Sequence, residues 1–333
     1  MSVFDWDSPV SIAAYVVTSI AVFLSVFKTY LYLTCGKITN SRNMEGKTVI
    51  ITGANSGIGK ETARDLAKRG ARVIMACRNM ETAKEAREKI VDESQNSNVF
   101  VKQVDLSSLA SIRAFAQDVI DTESVVDVLI HNAGIISGRQ VKSSPDGFEL
   151  TMATNYYGPF LLTHLLIDLL RKSSQGRIIT VTSKLYKYGS IEPELSNINP
   201  LMDYCLVPMK LYNLSKFAEI MFTQELALRL KGSSITANCL HPGIVNTGIL
   251  RQVPFPSNIV FAFLRMISLS PELGARTTIQ LAVSSDVEQI SGQYFSKCQV
   301  TKLNQRVQNA EIQMKLWEAS KALVKLEPTD PVI

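Results

Sequence analysis

Two kinds of hydrophobic pattern divide the chain. Ser8 to Phe27 carries no charge, and Val10 to Phe27 is dominated by Val, Ile, Ala, Leu and Phe. A helix over Val10–Phe27 would be about 27 Å long, and continuing through Tyr30 and Leu33 gives it the reach to cross a bilayer. Trp6 precedes the run and Tyr30 and Tyr32 follow it, where interfacial aromatic anchors belong. From Lys47 onward the pattern changes. Short β-branched runs (Lys47–Thr52, Arg72–Ala76, Val99–Val104, Val126–His131, Arg177–Thr182, Ser234–Leu240, Gln293–Phe295) alternate with helical stretches. The helices are expected over Gly57–Arg69, Met80–Glu93, from near Ser107, Gly147–Arg171 and Cys205–Leu230. A last amphipathic one places Ile312, Leu316, Ala319 and Leu323 on one face.

Apolar runs without polar alternation indicate strands covered on both faces, hence a parallel sheet with helices on each side. The expected fold is a single α/β, Rossmann-type, doubly wound sheet of about seven strands, preceded by a transmembrane helix. This divides the chain into a membrane anchor (1–34), a polar linker (35–46) and a catalytic domain (47–333). Asp5 and Asp7 stand before the anchor, whereas Lys28, Lys37, Arg42 and Lys47 follow it. The acidic start disfavours a cleaved signal peptide, and the basic trailing flank puts residues 35–333 in the cytosol.

Composition narrows the chemistry. With 46% hydrophobic and 20% charged residues the chain is globular. A net charge of +5 offers no stripe for nucleic acid. The 5 cysteines include no CxxC pair, and His131, His164 and His241 lie far apart, so neither a disulfide framework nor a metal site is expected. Nothing in the pattern argues for or against a homo-oligomer. The one sequon, Asn213-Leu214-Ser215, falls inside an expected helix and reads as accidental.

Ligands of such sheets bind beyond the carboxyl ends of the strands. There, after the first strand, stands Thr52-Gly53-Ala54-Asn55-Ser56-Gly57-Ile58-Gly59. Glycines permit a tight turn and close approach of a pyrophosphate at a helix N-terminus, although a purely structural turn has the same composition. The second strand ends at Ala76-Cys77-Arg78 with no Asp or Glu in Cys77–Asn79. An acidic residue there would bind a free 2′-hydroxyl, whereas Arg78 offers a fork to a 2′-phosphate, which favours NADP(H). Tyr212 and Lys216 are one helical turn apart. A free phenol is a weak base at neutral pH, and an ammonium about 5 Å away is expected to lower its pKa by about two units.

Together these motifs resemble the short-chain dehydrogenase/reductase family. Thr52–Gly59 fits its cofactor turn, Asp105 with Leu106 its adenine contact, and Asn132-Ala133-Gly134 its motif after the fourth strand. Asn155, Ser183, Tyr212 and Lys216 fit its catalytic tetrad, and Pro242, Gly243, Val245 and Thr247 fit the segment that holds the carboxamide. The resemblance implies that Ser183 binds the substrate oxygen and Tyr212 exchanges the proton. It also implies that Lys216 binds the ribose and that Asn155 holds a relay water. Gly53–Glu61 and the Ala-Cys-Arg run further resemble the membrane-anchored retinol dehydrogenases, with the endoplasmic reticulum as the expected membrane. Three departures stand out: His131 where that family usually has Asn, Lys184 directly after Ser183, and a long Leu185–Leu211 loop. The run from Gly248 to Leu264 is strongly apolar. It reads either as a cover for an apolar substrate or as a surface packed on the body or the membrane. The implied activity is retinol/retinal interconversion, with reduction favoured in the cytosol. The alternatives are a steroid, polyprenol or lipid-aldehyde substrate, and a catalytically silent NADP(H)-binding scaffold.

Overall fold

The computed structural model describes residues 8–39, 42–136, 142–199, 208–246, 248–249 and 268–333. Helix α1 (Pro9–Thr34) opens on Ser8, whose Oγ accepts from the Ser11 N–H at 3.2 Å, with Pro9 at the first turn. None of its residues is buried. A core helix of this composition would be covered, so α1 is an apolar helix long enough to span a membrane and turned outward from the body.

The segment after α1 does not hang free. The Thr39 N–H donates to Gln280 Oε1 and Gln280 Nε2 to Thr39 Oγ1, each at 3.1 Å. Arg276 Nη1 donates to the Gly36 carbonyl at 3.3 Å, and Arg42 pairs with Glu288. Met44 is buried, with its N–H on the Arg69 carbonyl. The polar linker is thus a strap tied to the body by polar contacts with Arg276, Gln280 and Glu288.

The body alternates β1 (Thr48–Thr52), α2 (Gly57–Lys68), β2 (Arg72–Cys77), α3 (Met80–Ser94), β3 (Val99–Gln103), α4 (Leu109–Thr122) and β4 (Val128–His131). A single turn α5 (Leu150–Met152) leads through a π-helical segment, Ala153–Tyr157, into α6 (Gly158–Arg171). Then come β5 (Gly176–Val181), α7 (Pro208–Arg229), β6 (Ile235–His241), α8 (Pro271–Val283), β7 (Tyr294–Ser296), β8 (Gln299–Val300) and α9 (Ala310–Leu323).

The strands form one sheet in the order β3-β2-β1-β4-β5-β6-β7-β8, all pairs parallel except β7 with β8. The eighth strand exceeds the seven expected because Gln299–Val300 is too short and too exposed to carry a hydrophobic signal. The helix expected over Gly147–Arg171 is likewise broken by the π segment. Alternate strand residues feed two cores. Ile50, Ile74, Leu129 and Ile178 face α4, α6, α7 and α9, while Val49, Val73, Val128 and Ile179 face α2, α3 and α8. Both sheet faces are therefore covered, which is why the strands read as unbroken apolar runs.

Candidate active site

β1 and β4 are neighbours, yet the chain runs outward from β1 through β2 and β3 before returning to β4. At such a reversal the loops after the two strands diverge and leave a crevice at the carboxyl edge. One wall is the glycine turn. Gly53 (φ +68°) and Gly57 (φ +57°) take left-handed conformations that disfavour side chains. Thr52 ties this wall to the next loop: its Oγ1 accepts from the N–H groups of Asn132 and Ala133, both at 3.0 Å. Asn132 Nδ2 returns the link by donating to the carbonyls of Thr52 (2.9 Å) and Gly53 (3.3 Å).

Ser56 occupies the N-cap of α2 but makes no side-chain cap bond, so it leaves the first-turn N–H groups to an incoming anion. Ile58 is half-buried against the core and Gly59 is packed between the two loops. Asn55 Nδ2 donates to Thr82 Oγ1 at 2.9 Å, fixing the turn to α3. Arg78 is exposed just before the Asn79 cap of α3, with no protein partner for its guanidinium among the described residues. Asp105 behaves differently from a free acceptor, since its Oδ1 takes the Ser107 N–H (2.9 Å) and hydroxyl (2.7 Å). Leu106, beside it, is buried, and its carbonyl abuts Gly158.

The opposite wall carries the titratable groups. Asn155 lies in the π-helical segment, whose extra residue per turn re-aims its side chain into the crevice. Its Oδ1 accepts from the Ile135 N–H (2.8 Å), and its Nδ2 donates to the Ile135 carbonyl (3.0 Å) and Ser215 Oγ (2.9 Å). Ser215 in turn donates to the Tyr212 carbonyl at 2.9 Å. A Cβ on Gly134 would sit 3.4 Å from Lys216 Nζ and 3.7 Å from Asn155 Oδ1. The missing side chain thus leaves room beside the cation.

Ser183 follows β5 with its hydroxyl placed to lower the Tyr212 pKa, while its Oγ accepts from the Leu185 N–H at 3.2 Å. Lys216 Nζ stands 5.5 Å from the centre of the Tyr212 ring. It donates to the Val181 carbonyl (3.1 Å) and to Glu219 Oε1 (2.7 Å). Beyond β6, Gly243 (φ +93°) turns the chain so that Val245 bridges Leu269 and packs on Gly274. Pro242 is half-buried in that turn. Thr247 and most of the apolar run after it lie outside the described residues.

The electrostatics correct one expectation. Tyr212 was expected to be lowered by Lys216; instead burial raises its pKa, with Lys216 and the Ser183 hydrogen bond pulling it down and Glu219 pushing it up. Lys216 keeps a raised pKa although burial opposes its charge, because Glu219 and Tyr212 compensate. Spacing along a helix reported the cation but neither the desolvation nor the second charge.

These residues fit a dinucleotide: a glycine cradle, an uncapped helix start, a solvent-facing guanidinium and a cation beside a glycine. Residues 47–193 and 203–255 match the family model for short chain dehydrogenases. The chain belongs to the short chain dehydrogenase family. Mouse retinol dehydrogenase 14 is 40% identical over 91% of this chain and 97% of its own length. An uncharacterized protein from Mycobacterium paratuberculosis is 32% identical, with a TM-score of 0.69 over 88% of this chain and 98% of that one. The NADP active-site complex of RhlG from Pseudomonas aeruginosa is 25% identical, with a TM-score of 0.60 over 76% of this chain and 95% of that one.

As a short chain dehydrogenase, the protein is an oxidoreductase of CH–OH and C=O groups that takes a nicotinamide cofactor. Three residues that hydrogen-bond to the candidate site residues or their neighbours went unread in the sequence: Ser215, Glu219 and His241. The His241 Nδ1 accepts from the Lys184 N–H at 3.2 Å, and burial pushes its pKa down to about 4. The long Lys184 side chain itself is exposed. An i, i+3 carboxylate beside Lys216 was visible in principle, but on most helices that pair is a solvated surface bridge.

Proposed function

We propose that the protein is an NADP(H)-dependent oxidoreductase of retinol and retinal, held by α1 in the endoplasmic reticulum membrane with residues 35–333 in the cytosol. The observation that carries the substrate is the 40% identity, over nearly the whole of both chains, to a relative named retinol dehydrogenase. The exposed apolar α1 supports a substrate taken from the bilayer. The solvent-facing Arg78, flanked by Cys77 and Asn79 and not by an acidic residue, supports the phosphorylated coenzyme, as does the NADP complex of the Pseudomonas relative.

In this reading the glycine turn Thr52–Gly59, Arg78, Asp105, Leu106, Asn132-Ala133-Gly134 and the turn at Pro242, Gly243, Val245 and Thr247 bind the coenzyme. When bound, it supplies or accepts the hydride. Ser183 hydrogen-bonds the substrate oxygen and holds it toward the Tyr212 phenol. In reduction, Tyr212 gives its proton to that oxygen as negative charge develops there. Lys216 stabilises the phenolate left behind, and Asn155 orders the path by which the proton is restored. Raising the Tyr212 pKa by burial suits this direction, because an acid must hold its proton until the substrate oxygen needs it.

The test uses the full chain in membranes with NADPH and all-trans-retinal. Tyr212→Phe is expected to retain NADPH binding and to lose at least about 100-fold in kcat/KM, the range of one acid–base contribution. A Tyr212→Phe rate equal to wild type would overturn the assignment. Turnover of a steroid or lipid aldehyde, but not of retinal, would move the substrate and leave the chemistry in place.

A further inference from the structure

The mechanism above leaves one buried charge without a task. Glu219 lies on α7, one turn after Lys216, and is 2% exposed. Its Oε1 is 2.7 Å from Lys216 Nζ, while Oε2 is buried with no partner among the described residues. A buried carboxylate with an unsatisfied oxygen is costly. A helix needing only a surface bridge would not place one beneath a catalytic pair.

The groups that face it are few. From α7 come Lys216 and Tyr212, and from β6 comes the Cys239 thiol, which burial keeps un-ionised. Beyond Cys239 lie the phenols of Tyr186 and Tyr294, both raised by burial. Among the described residues Lys216 is therefore the only cation that answers Glu219. The third donor of its ammonium remains for the crevice beside Gly134, the other two being taken by Val181 and Glu219.

We propose that Glu219 is a positioning residue for Lys216: its carboxylate holds the ammonium in the site and keeps the Tyr212–Lys216 pair fully protonated into the alkaline range. This rests on Tyr212 being the acid of carbonyl reduction. The reasoning concerns the pair and not either member alone. A nearby negative charge makes loss of the first proton harder, whichever group gives it up. Burial pushes the Glu219 carboxyl up to about 7, against the pull of Lys216. Its charge, and so its effect, belongs to neutral and alkaline pH, where the pair would otherwise begin to release a proton.

The experiment is the pH profile of retinal reduction (kcat/KM) by the full chain in membranes. It compares wild type, Glu219→Gln, Glu219→Asp and Tyr212→Phe. Glu219→Gln keeps the shape and a hydrogen-bonding oxygen but removes the charge. Its alkaline limb is expected to fall about one pH unit below that of wild type. Glu219→Asp, which restores the charge, is expected to bring the limb back toward wild type. A Gln variant that is slower at every pH with an unmoved limb would overturn the proposal, since that is what a merely structural role produces. If Glu219→Gln does not fold, Glu219→Asp and Glu219→Asn make the same charge comparison one methylene shorter, and coincident limbs in that pair overturn it equally. Tyr212→Phe separates the two readings. An active Phe variant defeats the proton-donor assignment, whereas an inactive one with unmoved Glu219 limbs defeats only this inference.

Discussion

Gly59→Ala tests the cradle at its tightest point. An added Cβ would stand 2.5 Å from the Gly53 carbonyl oxygen and 3.1 Å from Ala54 Cα, and nearer still to Asn132 Nδ2. The backbone atoms cannot swing away, and the Asn132 amide is engaged by the carbonyls of Thr52 and Gly53. Displacing that amide forfeits two hydrogen bonds at about 1 kcal/mol each, and overpacking adds about 1–3 kcal/mol. The expected destabilisation is thus about 3–5 kcal/mol, read by urea unfolding of the detergent-solubilised chain. NADPH binding, followed by its fluorescence, should weaken in parallel because the turn itself must shift. Gly147→Ala is the control: Gly147 has φ +82° but open space around it, so only the backbone term of about 1 kcal/mol applies. Should Gly59→Ala lie within about 1 kcal/mol of wild type and bind NADPH equally well, the close approach of the two loops is not what shapes this site.

Arg78→Ala is expected to raise the Kd for NADPH about 10–100-fold, the worth of a charge-assisted contact, and to leave NADH nearly unchanged; equal weakening of both would remove Arg78 from the 2′-phosphate. Replacing Gln280 by Leu removes both bonds to Thr39, so the Thr39 amide should exchange its hydrogen about 5–10-fold faster, and unchanged exchange would mean the strap is held elsewhere. Burial lowers the pKa of His131 to about 3 and of His164 to about 4. Below pH 6.5 the unfolded chain binds protons that these folded histidines refuse, so stability present above that pH is lost as pH falls toward 4 and 3. The acid slope of unfolding free energy should shrink in His131→Asn; an unchanged slope refutes the assignment.

The order of elements and the place of the chemistry could be read from residues 47–300 because both follow from local rules. Strands covered on two faces are apolar throughout, and a parallel sheet binds its ligands at the carboxyl edge. Boundaries were less visible where irregular backbone intervenes. No periodicity announces that Ala153–Tyr157 adopts a π-helical turn, since one inserted residue barely disturbs the apolar stripe on either side. Asp105 is expected as a contact for the adenine, and the turn in which its Oδ1 accepts from the Ser107 N–H and hydroxyl has no mark in the sequence.

The amino-acid sequence alone therefore determined the long apolar N-terminal helix, the doubly wound sheet, the glycine turn and the helical spacing of Tyr212 and Lys216. All of these are encoded in near-neighbour patterns. Tertiary structure decided what surrounds them: the strap that joins α1 to α8, the Asn132 bridge between two loops, and the buried Glu219 beside Lys216. Desolvation and charge compensation depend on which distant segments close over a group. The acidity of Tyr212 is therefore a property of the folded interior, in which burial outweighs the neighbouring ammonium.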